Sequence, residues 1–132
     1  MSHERMPSEI IRLGVDAWNK WKATDGQTVT TYVEDYKVGY REVTTSPARL
    51  HHIRFDSANL RGIDLSDAWL DDVSLMLADV RDANFRGATL TDVSGYRVDL
   101  SGADFTNATV RGAHLPDACL AAATLVNARF DD

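Results

Sequence analysis

Hydrophobic residues return with a period of five between Ala58 and Phe130. A large apolar side chain stands at every fifth position of this stretch, except at Gly95. Smaller apolar residues form a second series two positions earlier, and this series has no break. The large residues, which we predict to form the core, are Leu60, Leu65, Leu70, Leu75, Val80, Phe85, Leu90, Leu100, Phe105, Val110, Leu115, Leu120, Leu125 and Phe130.

A period of five suits neither an α-helix nor an ordinary β-strand. On a helix, a step of five residues ends about 140° away from its starting direction, so the apolar side chains would scatter around the cylinder. On a strand, an odd step places successive side chains on opposite faces. All of these side chains can face one axis only if the chain turns a corner every five residues. The pattern therefore predicts a solenoid.

Three blocks show the repeating unit most clearly: Ala58–Gly62, Ala83–Gly87 and Ala103–Asn107 read ANLRG, ANFRG and ADFTN. They resemble the pentapeptide-repeat family, whose consensus is Ala-(Asp/Asn)-Leu-x-x. Sixteen such blocks fit between Ile53 and Asp132. The resemblance implies an all-β solenoid, a right-handed quadrilateral β-helix with four repeats in each coil and about four coils. Because stacked strands lie about 4.8 Å apart, such a rod is roughly 19 Å long.

The residues before the repeats predict a cap for the solenoid. Apolar residues at helical spacing indicate one amphipathic helix from Ser8 to Lys22, and the stretch also resembles the helical lead-in of many pentapeptide-repeat arrays. A β-helix ends in an open core and unpaired strand edges, which need cover. The residues predicted to supply this cover are Ile11, Val15, Trp18 and Trp21.

A second segment separates this helix from the repeats. Gln27 to Thr45 is rich in Val, Thr and Tyr, which predicts one or two strands, or a hairpin that turns near residues 35–37. Leu50 then fits a degenerate first repeat. We predict a single structural domain in two parts, with residues 1–52 as capping helix and insertion and residues 53–132 as the β-helix.

The interruption at Gly95 leaves two interpretations open. In the first, which we favour, the chain forms a bulge in which Tyr96 takes the inward position, and the regular phase resumes at Leu100. In the second, Tyr96 stays outside and joins Met76 and Leu77 in an exposed apolar patch that binds a partner.

The repeats carry all of the chain's net charge. The formal charge is −6, and residues 53–132 contain seven Arg and thirteen Asp but no Lys or Glu. Much of this Asp content is expected at corners, where a short carboxylate accepts hydrogen bonds from nearby backbone N–H groups. Along one face, Asp71, Asp72 and Asp92 form either a solvated surface or a docking strip for Arg and Lys of a partner, with Trp69 as a neighbouring aromatic anchor.

The sequence offers little support for catalysis. The four His residues show no metal-ligand spacing, the lone Cys119 excludes an internal disulfide, and no phosphate-binding loop or nucleophile motif occurs. We therefore predict a non-enzyme without cofactor or metal. The chain contains no apolar run long enough to span a bilayer and no apolar block typical of a signal peptide, so we expect a cytoplasmic protein that does not bind membranes.

These observations predict a rigid, non-catalytic protein-interaction or scaffold module. An acidic rod repels nucleic acid, so direct nucleic-acid binding is not expected. The alternative comes from the resemblance: one branch of the family mimics duplex DNA with an acidic rod and occupies type II topoisomerases such as gyrase. Four coils are short for this role, but two rods stacked through their C-terminal coils, near Phe130, would form a longer dimer.

Overall fold

The computed structural model describes residues 7–24, 29–35, 39–45 and 49–131, which form two short helices, a hairpin and a parallel solenoid. Gly14, with a φ of 110°, interrupts the predicted N-terminal helix. Because this backbone conformation lies outside the helical region, the prediction of one continuous helix is wrong. In chain order the elements are α1 (Pro7–Ile11), α2 (Val15–Thr24), β1 (Val29–Asp35), β2 (Gly39–Thr45), β3 (Arg49–His51), β4 (Trp69–Asp71), β5 (Thr89–Thr91), β6 (Thr109–Arg111) and β7 (Arg129–Asp131).

The segment after the helices is a hairpin, as one of the predicted alternatives had it. Strands β1 and β2 pair antiparallel over their whole length, from Val29 opposite Thr45 to Asp35 opposite Gly39. The predicted turn falls mostly on residues 36–38, which lie outside the described residues.

The repeats form a parallel β-solenoid, which confirms the predicted fold class. Strands β3 to β7 stack in order in one five-stranded sheet, and each strand pairs with the strand twenty residues further along the chain. Single parallel bridges with the same spacing stack the other three sides, for example between Ser74 and Ser94, Asp79 and Asp99, and Asn84 and Asp104. Four sides of five residues complete each coil, so the chain makes about four coils.

The sheet begins before the first recognisable repeat. In β3, Leu50 is fully buried and pairs with Leu70 one coil later. Leu50 therefore occupies the inward position of a degenerate repeat that precedes Ile53. The division into two parts at residue 53 stays a prediction.

The core consists of the inward-facing apolar series, but its last members are not covered. The ten predicted core residues from Leu60 to Val110 are all buried, and the rings of Phe85 and Phe105 stack with their centroids 4.8 Å apart. Leu115 is only partly buried. The predicted burial of three residues is wrong, because no further coil among the described residues covers the last one: Leu120, Leu125 and Phe130 are 39%, 45% and 50% exposed.

The favoured interpretation of Gly95, a bulge, is also wrong. The bridges on either side keep their register, since Ser94 pairs with both Ser74 and His114. Gly95 itself is buried in the inward position, and Tyr96 is 45% exposed. The phase of the repeat therefore continues through the interruption without an extra residue.

Two neighbouring side chains approach the position that a Cβ atom of residue 95 would take. A Cβ atom built on Gly95 would lie 2.9 Å from both Leu115 Cδ2 and Val98 Cγ1. Such a distance is shorter than ordinary van der Waals contact. The side chains next to the inward position are therefore Leu115 and Val98, and Tyr96 does not occupy it.

We expect the substitution Gly95→Leu to lower the free energy of unfolding by about 1–3 kcal/mol, because overpacking forces neighbours off their preferred rotamers. Urea denaturation followed by circular dichroism measures this loss. Ser94→Ala, at the adjacent outward position, serves as control and should change stability little. A higher denaturation midpoint for Gly95→Leu would show that position 95 borders a cavity.

Candidate protein-interaction surfaces

Aspartates build the corners of the coils, as expected from the sequence. One group lies two positions after the large core residues and has φ values between 53° and 58°. Asp tolerates this left-handed region better than most residues. The members of this group are Asp67, Asp72, Asp82, Asp92 and Asp117.

A second group of aspartates precedes the large core residues and closes the turns. In each case a carboxylate oxygen accepts a hydrogen bond from the backbone N–H two residues further on, as in the pair Asp99 and Ser101 at 3.0 Å. The same bond recurs at Asp64, Asp79 and Asp104. Most of the acidic residues of the repeats therefore have a structural role at corners, and net charge alone does not identify a docking surface.

These hydrogen bonds lower the pKa values of several carboxyl groups. The side-chain hydrogen bond from Arg81 holds the pKa of Asp79 at about 2. The hydroxyl of Ser101 lowers the pKa of Asp99, and that of Thr106 lowers the pKa of Asp104. In each case the bonds favour the ionised carboxylate of the folded state.

Because these pKa values are depressed on folding, their stabilising contribution is present above the unfolded value of about 3.9 and is lost as the pH falls towards 2. We therefore expect the urea midpoint to decrease between pH 4 and pH 2. The Asp79→Asn variant should show a smaller decrease over the same range. An equal decrease in both proteins would contradict this role of the Asp79 carboxylate.

The predicted acidic face lies on the side formed by β3 to β7, and it is mixed in charge. Asp71 and Asp72 have side chains that are 51% and 63% exposed, but each contacts a histidine of the preceding coil. On the same side, Arg111 Nε lies 3.9 Å from a carboxylate oxygen of Asp131. Asp92 is exposed. These carboxylates therefore share their face with cationic and imidazole groups.

Trp69 lies at the edge of the same face. It is 42% exposed, and the guanidinium carbon of Arg49 is 4.3 Å from the centroid of its ring. This geometry is that of a cation–π contact. Trp69, the predicted aromatic anchor, therefore already contacts a cationic side chain of the same protein.

The neighbouring side of the solenoid presents the apolar patch defined by Met76, Leu77 and Tyr96, which are 37%, 50% and 45% exposed. The backbone N–H of Leu77 donates to the carbonyl oxygen of Tyr96 at 2.9 Å, so adjacent coils bring the patch together. Leu77 also has a φ of 58°. A leucine rarely adopts this left-handed conformation. At the other corners of the coils it is found mainly at Asp, Asn and Gly residues.

The C-terminal end of the solenoid presents a second apolar surface. The inward-facing side chains of the last coil, Leu120, Leu125 and Phe130, are between 39% and 50% exposed, and Val126 beside them is 58% exposed. A strand edge borders this surface. Exposed apolar side chains next to an unpaired strand edge are typical of association sites.

The N-terminal end is covered by α1 and α2. Trp18 is fully buried, Ile11 is 3% exposed, and Val15 and Trp21 are partly buried against the core. The indole N–H of Trp18 donates to the carbonyl oxygen of Asp64 at 2.5 Å. The residues predicted as the cap thus lie against the first coil.

Asn19 completes the cap, a role that was not predicted from the sequence. Its Oδ1 accepts from the backbone N–H of Asp64 at 2.7 Å, and its amide donates to the carbonyl oxygen of Gly62 at 3.0 Å. One coil later, the N–H of Asn84 donates to the carbonyl oxygen of Ile63 instead. Asn19 therefore replaces the backbone acceptor that a preceding coil would provide, and only its position next to Trp18 could have suggested this role.

Other chemistry is sparse among residues 7–24, 29–35, 39–45 and 49–131. They contain no cluster of three or more His, Cys, Asp or Glu side chains that could hold a metal ion. Within the same residues, no helix combines the length and apolar character needed to cross a bilayer. Cys119 is exposed, with its sulfur 3.1 Å from the Ser101 hydroxyl oxygen.

Several solved structures resemble this chain. HetL, a pentapeptide repeat protein involved in heterocyst differentiation regulation from the cyanobacterium Nostoc sp. strain PCC 7120, is 25% identical over 62% of this chain, with a TM-score of 0.36. The match spans 40% of the length of HetL. Rfr23, a pentapeptide repeat protein from the cyanobacterium Cyanothece 51142, is 23% identical over 76% of this chain and 78% of its own, with a TM-score of 0.35.

A third structure is a trypsin-treated variant of QnrB1, a plasmid-mediated fluoroquinolone resistance protein. It is 16% identical over 66% of this chain and 74% of its own, with a TM-score of 0.28. No curated protein matches the sequence. The family model for pentapeptide repeats matches residues 53–92 and 96–132 in eight copies, which is more than half of the chain. The protein therefore belongs to the pentapeptide repeat family.

Proposed function

We propose that the protein is a non-catalytic interaction module that binds a protein partner through the apolar patch of Met76, Leu77 and Tyr96. The observation that carries this proposal is Leu77, which is half exposed and has a left-handed backbone. An apolar side chain at such a corner contributes little to folding, since Asn or Asp would fit the backbone better. Its presence is accounted for if the side chain is buried by a partner.

The scaffold under the patch favours binding. Backbone hydrogen bonds connect each coil to the next, such as those from Leu75 to Ser94 and from Leu77 to Tyr96. A surface held in this way loses little conformational entropy when a partner binds. Aromatic and Met side chains are also enriched in protein interfaces.

The experiment compares Leu77→Asn and Tyr96→Ser with the wild type. The partner is first captured from cell extract, identified and purified, and its affinity is then measured by titration calorimetry. We expect each substitution to weaken binding at least tenfold, while Leu77→Asn keeps or raises the denaturation midpoint because Asn suits the left-handed corner.

Asp72→Asn is the matched control, since it changes a corner with similar backbone geometry on the neighbouring side. This control should retain full affinity. Unchanged affinity in both Leu77→Asn and Tyr96→Ser would refute the proposed binding surface.

A duplex-DNA mimic that acts on a type II topoisomerase is the second candidate. The net charge of −6 and the exposed side chains of Asp72 and Asp92 favour it. The histidines and arginines on the same face disfavour it, because phosphate mimicry needs a continuous negative surface. If this candidate is correct, replacing Asp71, Asp72 and Asp92 with Asn abolishes inhibition of gyrase supercoiling, whereas Leu77→Asn does not.

We also propose that two copies associate end to end through the C-terminal coil. The exposed fractions of Leu120, Leu125 and Phe130 support this arrangement, since pairing two such ends removes apolar surface from water and covers the strand edge. Within the described residues, α1 and α2 cover the opposite end, so the C-terminal end is the one open to pairing.

This proposal predicts a dimer by light scattering at high micromolar concentration. Replacing Phe130 with Asp should give a monomer that remains folded, because Phe130 is already half exposed in the single chain. The control is Val126→Asp, which changes the most exposed of the four apolar residues of this end, and it should weaken the dimer less. A monomeric wild type at this concentration would exclude the arrangement.

A further inference from the structure

Two adjacent histidines at the end of β3 each contact an aspartate of the next coil. Nδ1 of His51 lies 2.9 Å from Oδ2 of Asp71, and Nδ1 of His52 lies 2.5 Å from Oδ2 of Asp72. The sheet register places His51 opposite Asp71. The centroids of the two imidazole rings are 3.6 Å apart. The solenoid thus aligns two His–Asp pairs side by side.

These contacts fix the proton on each neutral imidazole. An ionised carboxylate only accepts hydrogen bonds, so Nδ1 carries the hydrogen and Nε2 keeps its lone pair. The side chains of His51 and His52 are 56% and 64% exposed, which leaves room for a ligand from solvent. Metal-binding histidines commonly donate their second N–H to a carboxylate in the same way, which orients the ring and raises its basicity.

We propose that His51 and His52 bind one divalent transition-metal ion, of the class represented by Zn²⁺, through their Nε2 atoms. Imidazole nitrogen suits this class of ion. Asp71 and Asp72 are positioning residues that act through the histidines, and their charges favour a bound cation. Water completes the coordination, because the described residues contain no cluster with three or more possible ligands.

This site does not depend on the proposed partner surface, since it lies on a different side of the solenoid from Met76 and Leu77. The sequence alone did not show that a carboxylate contacts each histidine. His51 and Asp71 are twenty positions apart, and only the coil places them in contact.

The test is calorimetric titration of the full chain with ZnCl₂ at pH 7.5, where most imidazoles are neutral. We expect one bound ion per chain. Replacing either His51 or His52 with Ala should weaken binding more than tenfold. Asp71→Asn and Asp72→Asn keep the shape of the side chain but remove its charge, and each should weaken binding by about tenfold or more.

His114→Ala and His3→Ala are the matched controls, and both should bind Zn²⁺ with wild-type affinity. His114 belongs to another side of the coil, and His3 lies outside the described residues. Circular dichroism and thermal unfolding establish that every variant is folded, so that a loss of Zn²⁺ binding can be distinguished from a loss of structure.

Three outcomes would overturn the proposal. The first is no Zn²⁺ binding by the wild type up to about 1 mM free metal, a concentration that would detect even weak sites. The second is unchanged affinity in the His51→Ala and His52→Ala variants. The third is unchanged affinity in the two Asp→Asn variants, which would show that any pair of adjacent histidines suffices and that the coil builds no site.

Discussion

Replacing Phe85 with Ala is expected to lower the free energy of unfolding by about 3–5 kcal/mol. The side chain is fully buried, and its ring stacks on Phe105 with an interplanar angle of 5°. Backbone hydrogen bonds join Phe85 to Asp104 and Leu65 to Asn84, at 2.8 Å and 2.7 Å. Because these bonds hold the coils at a fixed spacing, the neighbours cannot collapse into the space left by the ring, and a cavity remains.

Urea denaturation monitored by circular dichroism measures this loss. Phe130→Ala is the matched control, because it removes the same ring from a position that is 50% exposed. Its expected cost is less than half as large, since less apolar surface leaves water on folding. Both variants are compared at low micromolar concentration to limit any association through the C-terminal coil.

Equal losses at Phe85 and Phe130 would contradict the open C-terminal end. If the cost of Phe130→Ala increases with protein concentration, the ring is buried between two copies, because mass action couples association to stability. The comparison therefore also tests the proposed end-to-end dimer without a separate assay.

The solenoid could be predicted from the sequence because each side of the coil is as long as the repeat. Leu70 and Leu90 belong to the series of large apolar residues with a period of five. The members of such a series can share a core only if they face the axis, whatever the outward residues are. The structure confirms this inference. The exposed state of Leu125 depends instead on whether another element packs against the last coil, and the repeat pattern holds no information about cover at an end.

The interruption at Gly95 shows a second limit. The sequence shows that an inward side chain is absent, but not which neighbours approach its position. Leu115 comes from the next coil and Val98 from the next side, so their approach depends on rotamers in three dimensions. Gly14 is a different case, since a glycine within a helical pattern is itself a signal for a break, and the prediction of a continuous helix overlooked it.

The candidate surfaces were predictable only in part. Outward positions and apolar character together identify Met76 and Leu77. Leu77 has a left-handed backbone because it lies at a corner of the coil. An apolar side chain is unusual at such a corner, and this marks Leu77 as a candidate contact residue. The electrostatic character of the acidic face was harder to predict. From the sequence alone, Asp71 and Asp72 are two carboxylates without known partners, but in the coil a histidine contacts each of them.

The cap at the N-terminal end should be as important for stability as the core. We expect Trp18→Ala to cost about 3–5 kcal/mol, because it removes a fully buried indole and leaves the carbonyl oxygen of Asp64 without the donor at 2.5 Å. Trp18→Phe separates these effects. It keeps most of the buried apolar area but lacks the N–H, so its expected cost is about 1–3 kcal/mol.

Asn19→Ala tests whether the cap acts on the strand edge as well as on the core. This change removes the acceptor of the Asp64 N–H and the donor to the Gly62 carbonyl oxygen, while the apolar cover by Trp18 remains. If uncovered edges drive association, Asn19→Ala and Trp18→Ala should both form higher assemblies in sedimentation experiments, because each chain then has two open ends in place of one. In the Phe130→Asp background, which closes the C-terminal route, the same two variants should stop at dimers, because one open end remains. A monomeric Trp18→Ala variant in that background would show that covering the first coil serves folding stability alone.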